Sequence, residues 1–255
     1  MVPNRRNIAP ATLYFGLVAF SLAGLCMQKF TGREELWIGR IASLLTLAMA
    51  VWAALEGSRP KPLLKTVLLI LSIGAAFEVL GMYTGFPFGR YAYTGAWWPS
   101  LPLPGDHQFP LPLPFAWLLV VLGSASLYQR FGKKTGVLVG AVGVGLIAAL
   151  VDLPMELPMT QTLKYWRWES TSLFVGAPLQ NFFGWVLVSS VGAIFLLRDP
   201  SFRIEAQPGP EPAEGAGRAW PRGDAKSKPV SAGLILVTHL LFSMSVWLIG
   251  VPASP

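Results

Sequence analysis

Residues 66–86 read TVLLILSIGAAFEVLGMYTGF, an apolar run interrupted by one charge, Glu78. Crossing a bilayer as a helix takes roughly 20 apolar residues in succession. Runs of similar character recur at Ala9 to Met27, Ile41 to Leu55, Phe109 to Gln129, Thr135 to Val151, Leu179 to Leu197 and Val230 to Val251. Across the whole chain 53% of residues are hydrophobic and 13% are charged, against about 25% charged in an ordinary soluble domain. The pattern predicts an all-α fold, a polytopic integral membrane bundle of about seven transmembrane helices. Trp37, Trp97, Trp98, Trp166 and Trp168 fall at predicted span ends, where indoles form interfacial rings; Trp117 reads as a packed interior ring.

Charge sets the predicted orientation. Most of the 20 Lys and Arg, among them Arg5, Arg6, Lys61, Lys65, Lys133, Lys134 and Arg198, lie on the side of the N-terminus, which the positive-inside rule makes cytoplasmic. The first run follows Arg5 and Arg6 but has no small-x-small cleavage site followed by a soluble domain, so it reads as a span and not a signal peptide. Residues 1–197 form a predicted six-span bundle with a site on its outer face. Residues 198–229, rich in Pro, Gly, Ala and charge, read as a disordered cytoplasmic linker, and residues 230–255 as the last span. The expected location is the cell (plasma) membrane, multi-pass. The net charge of +7 is then a set of topology anchors and contacts to membrane lipids, with no nucleic-acid partner. Cys26, alone, excludes an intrachain disulfide.

A charge inside a span costs a few kcal/mol, so each one is a functional candidate. Glu78 lies roughly 20 Å along a helix from Lys65, and Asp152 roughly 27 Å from Lys134, which places both carboxyls in the outer half. Glu156 follows between Pro154 and Pro158, which argue against a regular helix there. Asp152, just before that segment, reads either as functional or as the cap of a short helix. Two aromatic packets share the outer face: Gly81 to Tyr93, with Tyr83, Phe86, Phe88, Tyr91, Tyr93 and one cation, Arg90; and Lys164 to Trp185, with Trp166, Trp168, Asn181 and Trp185. Arg90 is a candidate ion-pair partner for Glu78, and the aromatics read either as a substrate wall or as an interfacial belt. Small-xxx-small pairs such as Gly81 and Gly85 fit close helix contact. His107 and His239 have no companions at ligand spacing, so no metal is expected. The last span has no lysine for a retinal Schiff base.

The stretch Glu78 to Tyr93, with TGFPFGRYAYTG from Thr84 to Gly95, resembles the membrane-bound carotenoid 1′,2′-hydratase family, which includes the bisanhydrobacterioruberin hydratases. The similarity continues through Leu101 to Pro114 and Asp152, and reappears at Tyr165, Trp166, Trp168, Gly176, Pro178, Asn181 and Trp185. The resemblance implies an enzyme, a hydro-lyase, that adds water to the terminal double bond of an acyclic carotenoid end to give a tertiary alcohol, with no cofactor. Substrates of the lycopene, carotene or bacterioruberin-precursor type are implied, with other carotenoid enzymes as further partners.

The residues suit that task. An isoprenoid alkene is a weak base, and a desolvated carboxyl is a natural proton donor. Asp152 or Glu78 is the expected acid, with the other carboxylate or Glu156 orienting the water. Tyr83, Tyr91, Tyr93, Trp166 and Trp168 are the candidate wall around the cation, Phe86, Phe88 and Trp185 are further substrate-binding candidates, and Arg90 and Asn181 are the groups that fix carboxylates and water. Three other classes remain: a carotenoid cyclase, which lets an internal double bond capture the cation; a non-catalytic carotenoid-binding protein; and a transporter, for which no matching pair of broken helices is visible.

Overall fold

A computed structural model of the chain describes residues 9–32, 40–41, 44–45, 48, 51–52, 60–131, 135–170, 176–199, 202 and 230–249. The chain is mostly helical. Its described helices are α1 (Ala9–Thr31), α2 (Pro60–Thr84), α3 (Leu113–Phe131), α4 (Val137–Leu157), α5 (Leu179–Arg198) and α6 (Val230–Ile249). Most of the apolar run Ile41 to Leu55, and most of the linker 198–229, lie outside the described residues. Phe202, within that linker, is buried in the helical core, and the Thr66 hydroxyl donates to Asp199 at 2.6 Å beside it. The start of the linker is therefore pinned to the bundle.

Among the described residues, three helical segments are long and apolar enough to cross a membrane: Leu64–Thr84, Val137–Thr162 and Leu179–Arg198. The second shows how such a helix sorts its faces. Leu138, Val142, Leu146 and Leu150, at four-residue spacing, are 64%, 49%, 44% and 59% exposed, whereas Ala141, Val144, Gly145, Ala148 and Asp152 are buried. The bulky apolar groups point outward and the small ones inward, an arrangement suited to lipid. A Cβ on Gly145 would run into the Val186 carbonyl and the Ser190 hydroxyl, so this glycine permits the close seam between α4 and α5. α3 lies at the centre, packed against α2, α4, α5 and α6; Leu118, Val121, Leu122 and Ala125 on it are almost wholly enclosed.

Two features depart from the sequence reading. The helix does not stop before Pro154: α4 runs through it to Leu157 and unwinds only in a π-helical turn, Pro158–Thr162, closed by Leu163 N–H donating to the Pro158 carbonyl at 2.8 Å. A proline costs one helical hydrogen bond, but packing on both sides holds the helix together. Asp152 is accordingly interior to a helix and does not cap one. The fold is also not purely helical. β1 (Tyr91–Tyr93) pairs antiparallel with β4 (Trp166–Trp168), and β2 (Ser100–Leu103) with β3 (His107–Pro110). Phe109 and Pro110 belong to β3, so the fourth apolar run enters its helix only at Leu113. Gly85 and Gly89, at φ 79° and 104°, turn the chain from α2 toward β1. Both ribbons lie at the end of the bundle formed by the C-terminal ends of α2 and α4. The Arg40 guanidinium, 5.8 Å from the Trp98 ring centroid, brings the residue 40 region to the same end.

Candidate active site

Glu78 sits two turns before the end of α2, 5% exposed, and each of its oxygens accepts at least one hydrogen bond. Tyr91 Oη and Tyr93 Oη donate to Oε2 at 2.6 and 2.9 Å, and Trp117 Nε1 donates to Oε1 at 2.7 Å. The sequence explains the convergence. Tyr91 and Tyr93 alternate on β1, so both rings face the bundle while Ala92 does not. Trp117 comes from the start of the second turn of the central helix. Gly81, one turn beyond Glu78, has no Cβ where the Tyr91 hydroxyl and the Phe88 ring pass, and Gly74 leaves room for Trp117. Tyr91 and Tyr93 lie outside the helices that are long and apolar enough to cross a membrane. Burial, and after it the charge of Glu78, pushes both phenols well above their ordinary range, so they remain donors.

The second centre is built by α4 and α5. Asn181 Nδ2 donates to Asp152 Oδ2 at 2.7 Å and to Glu156 Oε1 at 2.9 Å, and Trp168 Nε1 donates to Glu156 Oε2 at 3.0 Å. Asp152 and Glu156 are one helical turn apart and therefore share a face of α4. Asp152 and Glu156 are 1% exposed, and Asp152 Oδ1 is buried with no hydrogen-bond partner. Two carboxyl groups thus converge on one amide, a site in which a single shared proton relieves their mutual repulsion.

Between the centres lies a cavity of about 70 Å³, onto which Glu78, Glu156 and Asn181 all face. One water needs roughly 10–15 Å³, so the space takes several waters or the end of an apolar chain. Its walls are Phe88, Tyr91, Tyr93, Trp97, Trp117, Trp166, Trp168 and Trp185, with Leu113, Ala116, Val120 and Met155 closing the α3 and α4 side. The rings pack on one another: Trp117 on Trp185 at 4.6 Å between centroids, Phe88 on Trp117 at 5.8 Å, Tyr91 on Trp168 at 5.3 Å. Trp97, Trp166 and Trp168, read from the sequence as interfacial, are half-buried members of this cluster.

Of the sequence candidates, Asp152 lies behind the cavity, tied to it through Asn181. Three lie away from it. Arg90 is exposed, and Glu78 is held by neutral donors instead of this cation. Tyr83, 47% exposed, donates to the Pro104 carbonyl at 2.9 Å and meets His107 edge-on. Phe86 is 51% exposed. Trp117 is the polar contact that the sequence did not single out: an indole in an apolar run looks alike whether it packs or donates.

The sequence profile of the family described as "Carotenoid biosynthesis protein" matches residues 13–206. Bisanhydrobacterioruberin hydratase from Haloarcula japonica is 33% identical over 123 residues, which are 46% of this chain and 39% of the relative. The match thus spans well under half the length of that relative. No solved structure matches the chain.

Proposed function

The chain belongs to the carotenoid biosynthesis protein family, and on that premise we propose that it is a membrane-embedded hydratase adding water to the terminal 1′,2′ double bond of an acyclic carotenoid end. The observation that carries this reading is the aromatic cavity faced by carboxyls from two helices, Glu78 and Glu156. The Asp152–Glu156 pair supplies the proton, delivered by Glu156 because Asp152 stands behind it. The alkene π electrons take that proton at the less substituted carbon, leaving a tertiary cation on its neighbour. The faces of Phe88, Trp117 and Trp185 stabilise the cation without bonding to it.

Glu78 orients the water. A carboxylate accepts about four hydrogen bonds; three are taken by Tyr91, Tyr93 and Trp117, and the remaining lone pair on Oε1 is free to hold a water. That oxygen attacks the cation, a C–O bond forms, and the oxonium ion loses a proton to Glu78. Proton exchange between the two centres resets the site, and the net change is addition of one water. The name of the Haloarcula relative supports capture by water. The largely aromatic and aliphatic lining favours a second reading, a carotenoid cyclase, in which an internal double bond captures the same cation.

In the membrane we place seven spans, with the N-terminus cytoplasmic and the cavity toward the outer face of the plasma membrane. The substrate is of the lycopene, carotene or bacterioruberin-precursor type. Expression in a lycopene-producing bacterium, with pigments separated by chromatography and weighed by mass spectrometry, tests the reaction. A pigment heavier by one water, absent with Asp152→Asn, is expected. An isomer of unchanged mass means ring closure, and unaltered lycopene counts against this substrate.

A further inference from the structure

The β1–β4 ribbon touches both carboxyl centres, one through each strand. On β1, Tyr91 and Tyr93 donate to Glu78; on β4, Trp168 donates to Glu156. The register sets Tyr91 opposite Trp168 and Tyr93 opposite Trp166, and the Tyr91 and Trp168 rings pack at 5.3 Å. A continuous path therefore runs from Glu78 through Tyr91 and Trp168 to Glu156. The ladder hydrogen bonds of the ribbon hold it, extended by Glu169 N–H donating to the Arg90 carbonyl at 3.0 Å. Antiparallel pairing fixes cross-strand side chains to within about an ångström, whereas α2 and α4 have no direct seam of their own among the larger helix contacts.

We infer that the β1–β4 ribbon is the spacer that sets the distance between the two carboxyl centres, and that Trp168 is a positioning residue acting through its N–H on Glu156. This assigns Trp168 a different role from a cation-facing wall, and the two roles separate experimentally. Phenylalanine keeps an aromatic face and the packing on Tyr91 but has no N–H.

The inference rests on the hydratase reading for its kinetic arm only. With the full chain in liposomes, Trp168→Phe is expected to lower kcat by about tenfold or more while KM changes by less than about twofold, because a misplaced acid loses rate and not substrate binding. Arg167→Ala, on the exposed side of the same strand, is expected to leave both unchanged. A wild-type rate in Trp168→Phe overturns the proposal, as does an equal loss in Arg167→Ala, which would leave the Trp168 N–H with no role of its own. The second arm needs no turnover. In 15N-indole-labelled protein in nanodiscs, the Trp168 N–H resonance, identified by its loss in Trp168→Phe, is expected to move in Glu156→Gln. A resonance that stays in place overturns the contact even if no hydrated pigment is ever found. Lack of hydrated pigment from the wild type defeats the hydratase reading alone.

Discussion

Glu78 and Asp152 are both buried carboxyl groups at one end of the same bundle, yet their surroundings are opposite in kind. Glu78 is enclosed by donors: two phenols and an indole, all neutral, fill three of its lone pairs. Asp152 has one donor, an amide that it shares with Glu156, and an oxygen with no partner at all. A carboxyl surrounded by three neutral donors is held rigid in one orientation. A carboxyl with one shared donor, set beside a second carboxyl, is a place to keep a proton. The contrast separates what each residue does for stability from what it does for chemistry.

Isosteric amides break the comparison most sharply. At Asp152 an asparagine keeps its oxygen toward Asn181 and turns its NH2 to the side where no donor is lost, while relieving repulsion with Glu156. Asp152→Asn is expected to retain its thermal transition in detergent and to lose roughly 10²- to 10⁴-fold in turnover, the range of a general acid. At Glu78 a glutamine sets its NH2 either against the two hydroxyls that donated to Oε2 or against the indole N–H that donated to Oε1, so at least one buried donor is left without an acceptor. Glu78→Gln is expected to lose activity and also about 1–3 kcal/mol of stability. Paired melting curves and pigment assays on the two variants decide it. Equal stability losses would erase the distinction between the centres.

The next effect is smaller and concerns pH. Tyr91 and Tyr93 are buried phenols whose ionisation is pushed well up by burial and then by Glu78. In the unfolded chain the same groups ionise near 10. A group whose folded pKa is raised contributes stability that is fully present below the unfolded value and is lost as pH climbs from there toward the folded value. The protein is expected to lose thermal stability above roughly pH 10, and Tyr93→Phe to be less sensitive to alkali, with a rate reduced several-fold because one of two donors to Oε2 is gone. Melting temperature against pH for the two proteins is the measurement. A parallel decline would place the alkaline sensitivity elsewhere.

How much of this was legible in the sequence depends on the kind of force involved. α2, α4 and α5 follow the apolar runs at 66–86, 135–151 and 179–197 to within a turn or two, because length and hydropathy are local properties. Glu78, Asp152, Glu156 and Asn181 stand out because polar groups in such runs are costly. Pro154 misleads: a breaker in an isolated helix is tolerated where neighbouring helices enclose the backbone. The pairing of Tyr-Ala-Tyr with Trp-Arg-Trp is a long-range event. Both stretches carry the period of two that a strand needs, but three residues are too few to distinguish a strand from an aromatic interface. Trp117 was hidden for a simpler reason, since its N–H partner comes from another helix.

The smallest expected effect is at Arg90, and it tests whether the donors around Glu78 are sufficient. A lone buried carboxylate invites a guanidinium partner, and Arg90 is the cation next to Tyr91 in sequence. It lies on the exposed side of the turn, with its stem against Gly85 and its carbonyl, not its guanidinium, used to extend the ribbon. Exposed charges contribute about 0–1 kcal/mol, so Arg90→Ala is expected to change turnover by less than about threefold and to leave the melting temperature within a few degrees. The same assays applied to Tyr91→Phe supply the contrast, since that change removes a 2.6 Å donor from Glu78. If Arg90→Ala were instead as damaging as Tyr91→Phe, the guanidinium would have to reach Glu78 in the working protein. The Glu78 centre would then be an ion pair, no longer distinguished from Asp152 by neutral donors alone.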